Sequence, residues 1–283
     1  MRDYFHSYNT EMKLILVLLT AVLTAAAAMA QDDGKSDNAQ GRQDLMPVIS
    51  PEARKAVKAM SDTLGSYKDF SFHADISYDE VLPSGQKIQY SGSAEVAVSR
   101  PGMALATVNG DLNDRRLWYS DGILTVLNVT DNLYASAEVP GNLDAAMDHL
   151  IENYGFTMPL ADIIHSSPYE SLMNNVEAGV VVGTSNLDGN QCLHMAFVEK
   201  YIDWQLWVSE SGGSLPCKLL ITYKTIPGAP QYTARFENWK SGEAAGLEKS
   251  SFKTDIPKEA SKIEFLKKQA EEDAKAAAEA PAE

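Results

Sequence analysis

Between Phe70 and Tyr78 the chain alternates: Phe70, Phe72, Ala74, Ile76 and Tyr78 are interleaved with Ser71, His73, Asp75 and Ser77. A period of two belongs to a strand with one dry and one wetter face, and it does not fit a helix, whose faces repeat every 3.6 residues. The pattern recurs. Ile88, Tyr90, Ala94, Val96 and Val98 alternate after the turn Pro83-Ser84-Gly85, and 103–108 follows Arg100-Pro101-Gly102. Further strands are expected near 116–120, 123–129 and 133–139, with Ser120-Asp121-Gly122 and Thr130-Asp131-Asn132 as the turns between them. Short strands separated by regular turn signals predict an antiparallel sheet, curved or closed.

Helical spacing interrupts this sheet twice. Ser50-Pro51-Glu52 opens a helix with Ser50 as N-cap and Pro51 in the first position. Ala56, Val57, Met60 and Leu64 form its apolar stripe, and Gly65 is expected to end it. Asn142 caps a second helix, expected to reach Asn153 and to bury Leu143, Met147 and Leu150. Segments 158–165 and 168–174 read as two short helices, the latter opened by Ser167-Pro168. Strands resume at 176–184 and continue through 190–198, 201–210 and 216–225 to 239. Phe252 and Ile263-Glu264-Phe265 add edge elements at most.

The run Asp203-Trp204-Gln205-Leu206-Trp207 sets a constraint of its own. Residues three apart on a strand face opposite ways. Trp204 shares a face with Ile202, Leu206 and Val208, while Trp207 lies with Asp203 and Gln205. Burying an indole removes ~200 Å² from water, so both faces need cover. Core covers Trp204. Trp207 requires a loop, a Lys or Arg stem, or a partner.

The N-terminal segment 1–30 reads as a secretory signal peptide. Lys13 precedes the apolar run 14–24, and Ala28-Met29-Ala30 offers a small-x-small cleavage site near Ala30. The strongly apolar core falls short of the ~20 residues a membrane span needs, so no transmembrane anchor is expected after cleavage. Segment 31–46 is a polar flexible linker, 47–265 a single domain, and 266–283 a polar tail rich in Ala, Glu and Lys. The net charge of −15 survives loss of the leader, where Arg2 and Lys13 balance Asp3 and Glu11. Such a surface repels phosphate backbones and anionic headgroups, which argues against nucleic acid as a partner.

Catalytic signatures are thin. His73, His149, His165 and His194 show neither HxH nor HExxH spacing, and there is no GxSxG elbow, P-loop or dinucleotide fingerprint. Cys192 and His194 share a strand face, but no third group orients them, so they read as a buried thiol and a polar edge residue. Asp111, Asp114 and Asp121 sit near turns and read as turn chemistry rather than a cation site. The acidic turns beside Arg115-Arg116 read as a solvated rim. No catalytic residue, metal or cofactor is expected. Cys192 and Cys217 fall on the outer two strands of an expected three-strand meander. Two spacings of ~4.8 Å exceed the ~7 Å reach of a disulfide, so no intramolecular bridge is expected.

An ordered series of residues carries a resemblance. It runs through Asp188-Gly189, Cys192-Leu193-His194-Met195-Ala196-Phe197, Ile202-Asp203-Trp204-Gln205-Leu206-Trp207-Val208, Leu215-Pro216, Lys218-Leu219, Ile221-Thr222, Lys224 and Gly228-Ala229-Pro230-Gln231-Tyr232 to Trp239. It resembles a bacterial family of predicted periplasmic proteins, domain of unknown function 2092, which in architecture is similar to the lipoprotein carriers LolA and LolB. The resemblance implies an α+β fold: a strongly curved antiparallel sheet, an unclosed barrel, with helices packed on its concave side. It also implies an exported, periplasmic, non-enzymatic binding or carrier protein. The ligand would be an apolar small molecule, a lipid or a lipoprotein acyl chain, held between sheet and helices. By strand parity the candidate cavity residues are Ile88, Tyr90, Val96, Leu105, Trp204, Leu206, Leu219, Ile221, Tyr232 and Phe236. The alternative is a packed interaction or envelope-sensing module that docks another envelope protein, with a periplasmic hydrolase a more remote reading. An apolar cavity above ~300 Å³ favours the carrier.

Overall fold

The computed structural model describes residues 48–155 and 158–265. The expected signal peptide, the linker 31–46 and the tail 266–283 lie outside the described residues. The chain opens with α1 (Pro51–Ser66), where the Ser50 hydroxyl accepts the Ala53 N–H at 3.1 Å and Ala53, Val57, Met60 and Leu64 are buried. The helix runs one residue past Gly65. A Cβ at that glycine would lie 2.9 Å from the Ser166 carbonyl oxygen, so Gly65 serves a close approach rather than the cap.

Six strands follow: β1 (Asp69–Val81), β2 (Lys87–Ser99), β3 (Met103–Gly110), β4 (Arg115–Ser120), β5 (Ile123–Asn128) and β6 (Leu133–Glu138). Then come α2 (Leu143–Tyr154), α3 (Ala161–Ile164) and α4 (Pro168–Met173). The chain returns to strands with β7 (Ala178–Leu187), β8 (Asn190–Val198), β9 (Ile202–Ser209), β10 (Pro216–Tyr223) and β11 (Gln231–Ser241), and adds the two-residue β12 (Ser261–Lys262). All twelve form one sheet in the order β12-β6-β5-β4-β3-β2-β1-β11-β10-β9-β8-β7. It is an open sheet, antiparallel except where β12 runs parallel to β6. The hairpin β1–β2 and the pairing β1–β11 join its two meanders.

Register shows which residues share a face. Phe70, Phe72, Ala74, Ile76 and Tyr78 stand opposite Val98, Val96, Ala94, Gly92 and Tyr90. The same face continues through Ala104 and Ala106 to Leu117 and Tyr119 on one side, and through Ala234 and Leu219 to Leu206, Met195 and Phe197 on the other. One contiguous cluster joins most of these residues to Val57 and Met60 of α1, Met147 and Leu150 of α2, Ile163 of α3 and Leu172 of α4. Twelve strands laid flat at ~4.8 Å spacing would be far wider than four short helices can cover. The sheet is therefore strongly curved, with the helices on its concave side. On the convex side Trp118 and Leu127 are buried where the turn 249–252, with its own buried Phe252, packs over β3 and β4.

The cysteine expectation is overturned. Cys192 and Cys217 are joined by a disulfide, with Cα atoms 6.9 Å apart. Counting regular strand spacings missed a bulge. Pro216 stands opposite Val208 and Lys218 opposite Trp207, leaving Cys217 as the extra residue, while Cys192 pairs with Ser209 at the last position of β9. At the end of the middle strand the outer two close over it. The bulge also places Lys218 beside Trp207, its ammonium 4.7 Å from the ring, while His194 stacks on the indole at 4.0 Å and 9°. Trp207 is thus covered on the convex face by a lysine stem and an imidazole, and is 7% exposed.

A candidate ligand cavity beneath α2

Helix α2 begins where Asn142 accepts the Ala145 N–H at 2.8 Å and ends at Gly155, whose φ of 62° gives the left-handed turn that glycine adopts without strain. Its first turn is tied down by polar contacts. The Leu143 N–H donates to the Pro101 carbonyl at 2.7 Å. The Asp144 carboxylate accepts from the Ser166 backbone N–H at 3.0 Å and from the Ser166 hydroxyl, with His165 3.8 Å away. Just before the helix, the Tyr119 hydroxyl donates to the Pro140 carbonyl. Beyond that first turn, Ala146, Met147 and Leu150 lie on the sheet side and are buried.

The other helices are held through Arg100, in the β2–β3 turn. Its guanidinium donates to the carbonyls of Leu64 and Tyr67 at 2.9 and 2.6 Å, at the end of α1. It also donates to those of Ile164 and His165 at 2.8 and 2.7 Å, at the end of α3. Two helix C-termini, where backbone carbonyls lack intrahelical partners, converge on one cation. Burial pulls the Arg100 pKa down and the nearby Asp144 carboxylate opposes that shift.

Between α2 and the strands lies an apolar cavity of about 60 Å³. Val96, Ala104, Ala106, Leu117, Tyr119 and Leu124 form its floor; Leu143, Ala146, Met147 and Leu150 roof it; Met158 and Ile164 close a side. The floor is short because β3 presents alanines there. Of the sequence-predicted residues, Val96 lines this cavity. Tyr90 and Ile88 share its face farther along β2, half-buried. Trp204, Leu206, Leu219, Ile221, Tyr232 and Phe236 share the face too, in buried core toward β9–β11. Leu105 borders the cavity, although its register partners Ala97 and Trp118 belong to the convex face. Trp204 is buried against Phe197, ring centroids 4.1 Å apart, and its indole N–H donates to Glu199 at 2.7 Å. Burial raises the Glu199 pKa, and that hydrogen bond pulls the other way. Burial also pushes the phenol of Tyr223 up to about 12 and that of Tyr232 higher, so both stay neutral.

A family model described as predicted periplasmic protein, domain of unknown function 2092, matches residues 53–266. The chain belongs to this family. A comparison with curated proteins found no match. Among solved structures it is similar to the Mycobacterium tuberculosis lipoprotein LppX (15% identity, 67% of this chain and 96% of that one, TM-score 0.42). It is also similar to LprF from Mycobacterium bovis (12%, 76% and 100%, 0.42). A third is a LolA superfamily protein from Nitrosomonas europaea (9%, 71% and 97%, 0.36). At such TM-scores the role of this family member has to be read from its own residues.

The residues weighed as catalytic candidates have partners within the fold. The Cys192 sulfur is bonded to Cys217 and so is no thiol nucleophile. The neighbouring His194 faces Gln205 at 2.8 Å. Asp111 accepts the Ser91 N–H at 2.7 Å and Asp114 the Gly110 N–H at 3.2 Å, so both hold a turn. Among the described residues no group of three His, Cys, Asp or Glu is placed to hold a metal ion, and no helix is long and apolar enough to cross a membrane. Sequence reading missed Ala104, Ala106 and Ala146 because small side chains look unremarkable, yet their size leaves the space.

Proposed function

We propose that this protein is a periplasmic carrier that takes an acyl chain or similar apolar ligand beneath α2, without catalysing a reaction. The observation that carries this reading is an apolar cavity between an alanine-floored stretch of sheet and a helix whose described polar anchors sit in its first turn. At about 60 Å³ the cavity is far below the ~300 Å³ or more of a ligand site, and below the size expected of a carrier. Uptake on this reading requires α2 to swing about its N-terminal anchors. Such a movement exchanges apolar contact between helix and sheet for apolar contact with ligand, so much of its cost is recovered on binding.

Native mass spectrometry of residues 31–283 purified from the periplasm, followed by organic extraction, tests the proposal. A retained mass that extracts as a lipid or fatty acid is expected, and Ala106→Leu, which fills the floor, is expected to lower its occupancy. An apo mass together with no uptake of a fluorescent acyl probe would sink the carrier. The interaction module would then be the better account. One observation favours that second reading: the edge strand β7 exposes Val180 and Val182 by 54% and 57%, a surface suited to strand addition by a partner chain.

A further inference from the structure

After β11 ends at Ser241, the chain crosses the sheet from its convex to its concave side. The turn 249–252 first lays Phe252, which is buried, over β3 and β4 on the convex side. The segment then reaches the sheet edge. There the Ser261 N–H donates to the Asn132 carbonyl at 2.9 Å and the Ile263 N–H to the Tyr134 carbonyl at 2.8 Å, which sets β12 beside β6. Two residues on, the Phe265 ring meets Tyr154 in a T-shaped contact, centroids 5.7 Å apart. Tyr154 is the last residue of α2, so the segment ends against the concave-side helix.

Tyr154 continues the stripe that roofs the cavity. It lies four residues beyond Leu150 and seven beyond Met147, spacings that put all three on one helix face. Leu150 and Met147 line the cavity. Tyr154 and Phe265 are both half-buried and pack against the same apolar cluster. The described hydrogen bonds from α2 to other elements sit in its first turn, at Leu143 and Asp144. At its far end the helix is held by packing, and Phe265 supplies part of that packing from beyond the sheet edge.

Resting on the carrier reading, we infer that residues 249–265 form a strap that latches α2: Phe265 on Tyr154 holds down the free end of the helix, and ligand enters there once the latch parts. The three contacts of the strap have different roles. Phe252 tethers it to β3 and β4, the strands that also contribute Ala104, Ala106, Leu117 and Tyr119 to the cavity floor. β12 carries it around the edge and sets the reach of Phe265. Phe265 makes the contact with the helix. β12 is the weak part, because it is two residues long and both are exposed, and backbone pairing with so little buried surface opens readily. A bound chain larger than the cavity keeps α2 displaced and the latch apart, so the latch opposes binding. The free protein then spends most of its time latched, which lowers the apparent affinity in proportion.

The experiment titrates residues 31–283 with an 18-carbon fluorescent polyene fatty acid, as wild type, Phe265→Ala and Ile263→Pro. Phe265→Ala removes the latch ring and is expected to bind the probe about 5-fold tighter, although it deletes a packing contact. Ile263→Pro keeps both rings but removes the N–H that pins β12, and is expected to tighten binding about 3-fold. A second measurement needs no variant: hydrogen exchange of the Ser261 and Ile263 amides in wild type is expected to speed up when the probe is bound. Unchanged or weaker binding by Phe265→Ala, with wild type binding normally, overturns the latch and leaves the carrier standing. Tighter binding by Phe265→Ala but not by Ile263→Pro overturns the strap. Slower or unchanged exchange at Ser261 and Ile263 on binding does so as well, even where a variant fails to fold. No binding of the probe by wild type overturns the carrier reading and this inference with it.

Discussion

The concave side is filled in two different ways. Toward β9–β11 and β1 the space is taken by rings: Phe72 lies 4.5 Å from Trp239 and 5.7 Å from Phe236, and Phe197 lies 4.1 Å from Trp204. Toward β3–β5 the sheet presents Ala104 and Ala106 to Ala146 and Met147 of α2, and a void remains. The same curved sheet and the same strand alternation serve both regions. Side-chain volume decides that one is a solid core and that the other keeps a void. A helix that sets Ala146 and Met147 over alanines forms few interlocking contacts, and a flexible methionine refills space readily.

The contrast can be broken first by truncation. Phe197→Ala, in the solid region, is expected to cost about 3–5 kcal/mol in urea unfolding, whereas Met147→Ala, which enlarges a void already present, is expected to cost about 2 kcal/mol. Equal losses would mean that the two regions are equally packed. Enlargement sharpens the test from the other direction. Ala234→Leu introduces volume where Ala234 is fully buried and is expected to cost about 1–3 kcal/mol. Ala106→Leu is expected to be neutral or to stabilise by up to about 1 kcal/mol, because it fills space.

Loss of the α2 cap is expected to have a smaller effect. Asn142→Ala removes a bond to the Ala145 N–H and is expected to cost ~1 kcal/mol, together with faster uptake of an acyl probe. Unchanged uptake would argue that α2 does not gate the cavity. The smallest effect belongs to the convex face, away from both regions. His73 contacts Glu95 at 2.6 Å and Asp75 at 3.2 Å. Burial alone would lower its pKa, and the two carboxylates outweigh that and raise it. A raised histidine pKa stabilises the fold below the unfolded value of ~6.5, and the contribution disappears as pH rises through the folded value. His73→Gln is therefore expected to cost about 0.5 kcal/mol near pH 5.5 and nothing measurable at pH 9. A cost independent of pH would show that the imidazole acts by packing.

Strand alternation made much of the sheet legible in the sequence, because a period of two is local information. The helix starts at Ser50 and Asn142 were legible for the same reason. A cap is a residue type beside an apolar stripe, and both hydroxyl and amide accept the expected backbone N–H. What depends on an extra residue in one strand was not legible. The bulge at Cys217 changes the separation of two strands and switches the face parity between Pro216 and Leu219, and with it the fate of both cysteines. Pro216, which cannot donate to the ladder, was the available hint. Nor was the void legible, since its volume depends on how deeply α2 sits against the sheet.

The bridge between Cys192 and Cys217 carries a consequence about history. A covalent link between β8 and β10 forms only where two thiols can lose their hydrogens to an oxidant, and reducing cytosol withholds that chance. The finished molecule therefore keeps a chemical record of the compartment in which its second meander was completed. Protein made in a reducing cytosol would have the same sequence and lack that record.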